Sequence, residues 1–198
     1  MGGSILGSKA IYDFLRFKIK KKFIFIDNLD QSYLEEVKKK NNLKNSLFLI
    51  ISKSGNTIET IVNASFFQKF INNKNSIIVS ENKNNILRNY AIKKKIYFVK
   101  HNSKIGGRYS VFSESGILPA YFMGLNIKKF KNRVLSLIKN KKILTSEIKK
   151  INKIISKRNK VLILFNYVPE LNNFMFWSQQ LLAESLGKNK KGFMTVVS

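Results

Sequence analysis

A doubly wound α/β fold, with a parallel sheet sandwiched by helices, follows from three observations in this sequence. Residues 47–51 and 161–165 are unbroken apolar runs, as in strands covered on both faces. Between Phe23 and Val99, short apolar runs alternate with helical periodicities, the pattern of parallel strands joined by crossover helices. The run at 47–51 also leads through a hydroxyl- and glycine-bearing turn directly into a helix, a strand–turn–helix step proper to such sheets.

Taken in order, Gly2-Gly3-Ser4 runs straight into a helix with Ala10, Ile11, Phe14 and Leu15 on one face. Residues 23–26 predict a short buried strand. A polar helix follows, with Glu35/Lys39 and Glu36/Lys40 spaced i,i+4. After the strand at 47–51 come a helix over 57–70, a strand over 76–80, a helix near 84–93 and a strand over 96–99. The Asn56-x-x-Glu59 spacing resembles a capping box. Residues 104–110 form a flexible glycine-bearing loop, and an apolar helix spans 116–125 with Pro119 tolerable in its first turn. Two lysine-rich helices, 127–139 and 145–157, make a connector. The buried run at 161–165, a helix over 171–186 and a strand beginning at 195–198 open a second unit of the same kind. The expected organisation is a first domain over 1–125 without its initial strand, a helical connector over 126–158, and a truncated second domain over 159–198. The glycine turn at 2–7 has no strand before it, and the second unit holds barely two strands, so the chain reads as a fragment.

Composition removes several classes of function. The formal charge is +26, from 37 Lys+Arg against 11 Asp+Glu. A basic excess of that size suggests polyanions, but nearly all of it is lysine scattered over helix faces, accompanied by abundant Asn and Ile. Arginine, favoured in base and phosphate recognition, occurs only at Arg16, Arg88, Arg108, Arg133 and Arg158. A/T-rich coding accounts for the bias, so no specific nucleic-acid partner is expected. No apolar run approaches the roughly 20 residues of a membrane span. The absence of cysteine excludes disulfides and thiolate metal sites, and the single histidine, His101, excludes a histidine metal cluster. The expected compartment is a reducing cytoplasm.

Four segments carry chemistry-bearing residues. The turn Ser52-Lys53-Ser54-Gly55-Asn56-Thr57 suits a phosphate, because first-turn N–H groups lack helical partners and the helix dipole favours an anion. A well-capped helix after a core strand uses the same residue types. Gly2-Gly3-Ser4-Ile5-Leu6-Gly7 allows close approach to a phosphate or sugar hydroxyl, or is a simple N-cap. Gly106-Gly107-Arg108-Tyr109-Ser110 offers a guanidinium to developing negative charge, or to a structural ion pair. On the helix ending at Gly187, Gln180 and Glu184 share one side at the margin of the apolar stripe. A partly desolvated carboxylate there suits proton transfer, whereas a helix-end Glu is more commonly solvated. His101, beside Lys100 at a strand end, is read as surface or structural.

Together the motifs Gly-Gly-Ser-x-Leu-Gly, Ser-Lys-Ser-Gly-Asn-Thr-x-Glu-Thr, Gly-Gly-Arg-Tyr-Ser-Val-x-Ser and Gln-Leu-x-Ala-Glu-Ser-Leu-Gly-Lys-x-x-Lys-Gly resemble the glucose-6-phosphate isomerase family, from residue 2 to 197. The second motif alone indicates only the wider class of sugar-isomerase (SIS) domains. The resemblance implies an SIS-type fold and interconversion of glucose 6-phosphate and fructose 6-phosphate through a cis-enediolate, in glycolysis and gluconeogenesis. It implies that Ser52, Lys53, Ser54, Thr57 and Thr60 hold the substrate phosphate, and that Gly3 and Ser4 lie against the sugar chain. Gln180 is implied to contact substrate, Arg108 to stabilise the enediolate, and Glu184 to carry the proton between C1 and C2. It further implies a sugar-phosphate substrate, no metal and no cofactor, and a homodimer when full length. The family's first strand, its ring-opening histidine and a C-terminal lysine have no counterpart here, and His101 matches no functional position. The expectation is therefore an isomerase sequence whose polypeptide, as given, is inactive. A non-catalytic SIS regulator would need the 52–60 loop but not Arg108 or Glu184. A nucleic-acid-binding protein would interleave arginines and aromatics on one face, and here the aromatics fall mostly on expected core positions.

Overall fold

The computed structural model describes residues 3–155, 161–187 and 192–198, and the chain divides into two compact units. The first comprises Met1–Ser8 and Lys21–Pro119; the second comprises Lys9–Lys20 and Ala120–Ser198. Helix α1 (Gly3–Leu15) therefore gives its first turns to one unit and its remainder to the other.

Three parallel strands order the first unit. Strand β1 (Phe48–Ile51) pairs with β2 (Ser76–Glu81), and β2 pairs with β3 (Tyr97–His101), in the spatial order β1-β2-β3. The register sets Ile51 opposite Val79 and Glu81 opposite His101. Crossovers run through α3 (Ile58–Phe66) and α4 (Ile86–Lys94). Being central, β2 loses water on both faces, and Ile78 and Val79 are fully buried. On one side, Leu34 and Val37 of α2 (Gln31–Lys40), Ile50, Phe67, Ile78, Leu87 and Ala91 form a continuous apolar core. Asp30 caps α2 by accepting from the Tyr33 amide, 3.2 Å, and Lys40 pairs with Glu36 one turn back, 2.8 Å.

Residues 23–26 do not form the expected strand. They enter no ladder, and the Phe25 carbonyl instead accepts the Tyr33 hydroxyl at 3.3 Å. A four-residue apolar run is ambiguous by pattern alone; only an available strand edge makes it a strand. The apolar helix after the glycine loop also differs. Helix α5 is Glu114–Phe122, so Pro119 sits inside it rather than in its first turn. Pro119 has no N–H to give the Ser115 carbonyl, and that carbonyl accepts the Ser8 hydroxyl of α1 at 3.5 Å.

In the second unit, α6 (Ile127–Lys139) and α7 (Lys141–Ile155) are amphipathic helices with no buried residue on α6. The end of the second connector helix, expected at 156–157, lies outside the described residues. Strand β4 (Val161–Leu164) pairs in parallel with β5 (Met194–Val197), and α8 (Asn172–Leu186) packs on β5. Val161 and Ile163 are 51% and 48% exposed, so the run expected to be buried is covered on one side only. The later half of α1 is fastened to the start of α8. Phe14 meets Phe174 at 5.9 Å, Asn173 donates to Asp13 at 2.8 Å, and Arg16 pairs with Glu170 just ahead of the helix.

Because β2 is the element around which the first core closes, Ile78→Ala should lower unfolding stability by about 3 kcal/mol, a full core truncation. Urea denaturation checks this; a loss below about 1 kcal/mol would mean that the β2 core is not what holds the unit together.

Candidate active site

The 52–57 turn is an extension of the sheet before it becomes a loop. The Ser52 amide donates to Val79 O at 3.0 Å, and the Glu81 amide donates to Lys53 O at 2.9 Å, so β2 grips the chain past the end of β1. Gly55 then reverses it, at φ +70°, a conformation that costs an L side chain roughly 1–2 kcal/mol. A Cβ on Gly55 would also lie 2.0 Å from Asn85 Oδ1. The turn is thus pressed against the N-terminus of α4, whose Leu87 amide donates to Gly55 O at 3.1 Å.

Inside the turn, hydroxyls bond one another. Ser52 Oγ lies 2.7 Å from Thr57 Oγ1 and accepts from the Gly55 amide at 3.2 Å, while Ser54 Oγ lies 3.5 Å from Thr57 Oγ1. The N-cap of α3 is Thr57, and its side chain makes no capping hydrogen bond. The capping box expected from Asn56 and Glu59 does not form. Asn56 Oδ1 instead accepts from the Ile86 amide, 3.0 Å away at the start of α4. An uncapped amide on a neighbouring helix competes successfully for that side chain. The start of α3 therefore carries no side-chain cap from Thr57, the kind of helix end at which first-turn amides and the helix dipole can receive an anion. Thr60 is half-buried in that first turn, and Thr57 and Ser54 are exposed.

Lys53 is placed by a residue that sequence reasoning missed. Glu81 ends β2, is only 5% exposed, and lies 3.8 Å from Lys53 Nζ while pairing closely with Lys83. The Lys83 ammonium holds its carboxyl below the ordinary value of 4.5, against the opposing effect of burial, with Lys53 and His101 adding to the lowering. A carboxylate directly after an apolar strand was the available signal. His101 is read as surface or structural, and it is structural: 1% exposed, with Nδ1 3.3 Å from Glu114 Oε2 and 3.4 Å from Ser115 Oγ.

Arg108 belongs to a wound segment, not a flexible loop. Residues Gly107–Phe112 form 3-10 turns in which Ser110 Oγ donates to Gly107 O at 2.6 Å and Ser113 Oγ to Ser110 O at 2.7 Å. Arg108 is half-buried, and its guanidinium lies 4.8 Å from the centre of the Tyr109 ring. Gly3 and Ser4 open α1. On α8, Gln180 Nε2 donates to Glu184 Oε1 at 2.7 Å, as the i,i+4 spacing requires. Glu184 is exposed rather than partly desolvated, because no residue of α8 is fully buried. Ser52, Ser54 and Thr57 thus form one hydrogen-bonded group, and Gln180 with Glu184 another. Among the described residues no group of three or more His, Asp or Glu side chains is placed to hold a metal ion.

A parallel sheet whose crossover helix starts at an uncapped, hydroxyl-lined turn defines the class of α/β domains suited to seating an anion at a helix N-terminus. The chain belongs to the phosphoglucose isomerase family, whose family model matches residues 1–196. It is 36% identical over 211 residues to a glucose-6-phosphate isomerase of Methanocaldococcus jannaschii, covering 100% of this chain and 52% of that protein. It is 33% identical over 216 residues to the glucose-6-phosphate isomerase of Acholeplasma laidlawii, covering 98% and 50%. In fold it is similar to a hypothetical protein from Thermus thermophilus, with a TM-score of 0.81 at 23% identity, over 100% of this chain and 51% of that one. A glucose-6-phosphate isomerase from Chlamydia trachomatis gives a TM-score of 0.77 at 23% identity, over 100% and 43%. The chain spans about half the length of the curated relatives it matches.

The Glu81 charge has a pH consequence whose sign is set by its lowered pKa. A depressed carboxyl stabilises the fold above its ordinary value, and that contribution is lost as pH falls through the folded value. Wild type should therefore lose more stability below about pH 4.5 than Glu81→Gln, read as Tm across an acid series. Parallel acid curves would show that Glu81 is not held ionised.

Proposed function

We propose that this chain carries the phosphate-anchoring loop and the reacting side chains of an aldose–ketose isomerase that interconverts glucose 6-phosphate and fructose 6-phosphate. The observation that supports it most is the uncapped start of α3 facing the Ser52, Ser54 and Thr57 hydroxyls, within a chain matched by the phosphoglucose isomerase family over residues 1–196. The relatives named above are glucose-6-phosphate isomerases, and the reading extends their named activity to this chain.

In this reading, Ser52, Ser54, Thr57 and Thr60 with the first α3 amides take the phosphate, and Lys53 adds charge. Gly3 and Ser4 run along the sugar chain. Glu184 removes the proton from C2 of the open-chain aldose and returns it at C1, and its Gln180 hydrogen bond keeps the carboxylate oriented. Arg108 meets the negative charge that accumulates on the enediolate oxygens. One proton passes from C2 to C1 through the carboxylate while the O2 hydroxyl proton is transferred to O1, so atoms and electrons balance without a redox partner. The domain division at 1–125, 126–158 and 159–198, a homodimer and a cytoplasmic location belong to the same proposal. No described helix is long and apolar enough to cross a membrane.

Two substitutions test the assignment. Thr57→Ala removes a hydroxyl from the phosphate cage, and should weaken sugar-phosphate binding about tenfold, the scale of one hydrogen bond to a charged group. Free glucose competing as well as glucose 6-phosphate in calorimetry would refute the anchor. In enzyme that turns over glucose 6-phosphate, Glu184→Gln should lower kcat by about 10³-fold while KM stays near the wild-type value. Turnover retained by that variant would refute the base.

A further inference from the structure

Two helical glycines press on one residue of the Arg108 segment. A Cβ on Gly7 of α1 would lie 2.7 Å from both Cβ and Cγ2 of Val111. A Cβ on Gly116 of α5 would lie 2.1 Å from Val111 O and 2.6 Å from its Cα. Neither glycine has a positive φ, so backbone freedom does not explain them. Glycine inside a helix is unfavourable relative to alanine, and what it provides here is room. Val111 fills that room: it is 7% exposed, and with Ser110 it is the buried part of a segment whose Tyr109 and Phe112 are 48% and 59% exposed.

Val111 follows Arg108 by three residues in 3-10 geometry, where residues i and i+3 eclipse. The depth to which Val111 enters between the glycines therefore sets where the Arg108 side chain begins. Two further ties hold the segment at that depth. The serine bonds described above stiffen it, and His101 at the end of β3 meets Glu114 and Ser115 at the start of α5, closing the base of the loop.

We propose that Gly7 and Gly116 are positioning residues for Arg108, forming a slot that takes Val111 and so fixes the turn carrying the guanidinium. The catalytic role of Arg108 rests on the isomerase reading above; the slot itself does not. The first glycine motif thereby has a second task. Its leading residues belong to the substrate side, and its last glycine seats a segment roughly a hundred residues away.

The test uses this chain with two substitutions that alter the slot in opposite ways. Gly7→Ala overfills it, and Val111→Ala, which introduces no clash and is expected to fold, empties it. The first readout is hydrogen exchange at the Tyr109 and Ser113 amides, which donate within the segment at 2.9 Å each. Both variants should exchange there about tenfold faster than wild type; unchanged exchange overturns the slot. The second readout is calorimetric binding of two probes. One is an aldonic acid phosphate, whose planar carboxylate imitates the enediolate, and the other a hexitol 6-phosphate, which shares only the phosphate and hydroxyls. Both variants should lose about tenfold in affinity for the aldonate and keep the hexitol affinity within about twofold. Arg108→Gln should erase the preference and make Gly7→Ala silent toward it. Equal losses for both probes, or none, overturn the positioning role. A wild type that does not prefer the aldonate, with exchange still accelerated in the variants, supports the slot and overturns the isomerase reading of Arg108.

Discussion

The parallel pairing of β2 along both of its edges is the constraint from which the first unit follows. With Ile78 and Val79 sealed from water and the ladders to β1 and β3 in register, the carboxyl ends of three strands lie side by side. Each strand then releases its chain into a different loop from the same edge. The hydroxyl turn follows β1, the Glu81–Asn85 segment follows β2, and the Arg108 segment follows β3. The ladder even continues past β1, through the Ser52 and Lys53 backbone, so the hydroxyl turn starts from a fixed origin.

At that edge the protein buries an unusual set of polar groups, and most are answered. Ser80, Asn85, His101, Ser110, Ser113 and Ser115 are all buried. Asn85 alone bonds Glu81 O, Lys83 O and the Arg88 amide, closing the loop after β2 while serving as the α4 cap. An unpaired polar group in such a place would cost about 1–3 kcal/mol, so a network of this kind is stable only when nearly complete. The bonds that are made also stiffen this edge. Gly55 packed against Asn85, Asn56 bonded to the α4 amide and Glu81 beside Lys53 together hold the turn.

The second unit is built on different terms. Its two-stranded sheet leaves Val161 and Ile163 half exposed, and Ile143, Leu144, Ile148 and Ile151 of α7 are all exposed. The helices hold by local means, such as the Asn126 cap on the Lys129 amide and the Lys150–Glu147 pair, each worth at most about 1 kcal/mol. Apolar stripes of this width are what helices ordinarily turn toward a core. On α8 Glu184 is likewise exposed, with Gln180 as a hydrogen-bonding neighbour one turn back.

Sequence alone determined the alternation of strands and helices from residue 47 to 101 and the strand–turn–helix step at 52–57. Those properties are local: apolar runs, helical spacing and side-chain type are complete within about ten to fifteen residues. It failed at 23–26, where a strand needs an edge that no local pattern announces, and at Asn56, where a capping spacing lost its side chain to another helix. Tertiary structure decided the burial of Glu81 and His101, the charge environment of Lys53 and the seat of Val111 between two glycines. Each of these depends on groups far apart in the chain, as in the bond from Ser8 to the Ser115 carbonyl. Pro119 leaves that carbonyl without its helical donor, and only the folded chain brings Ser8 to take the missing donor's place.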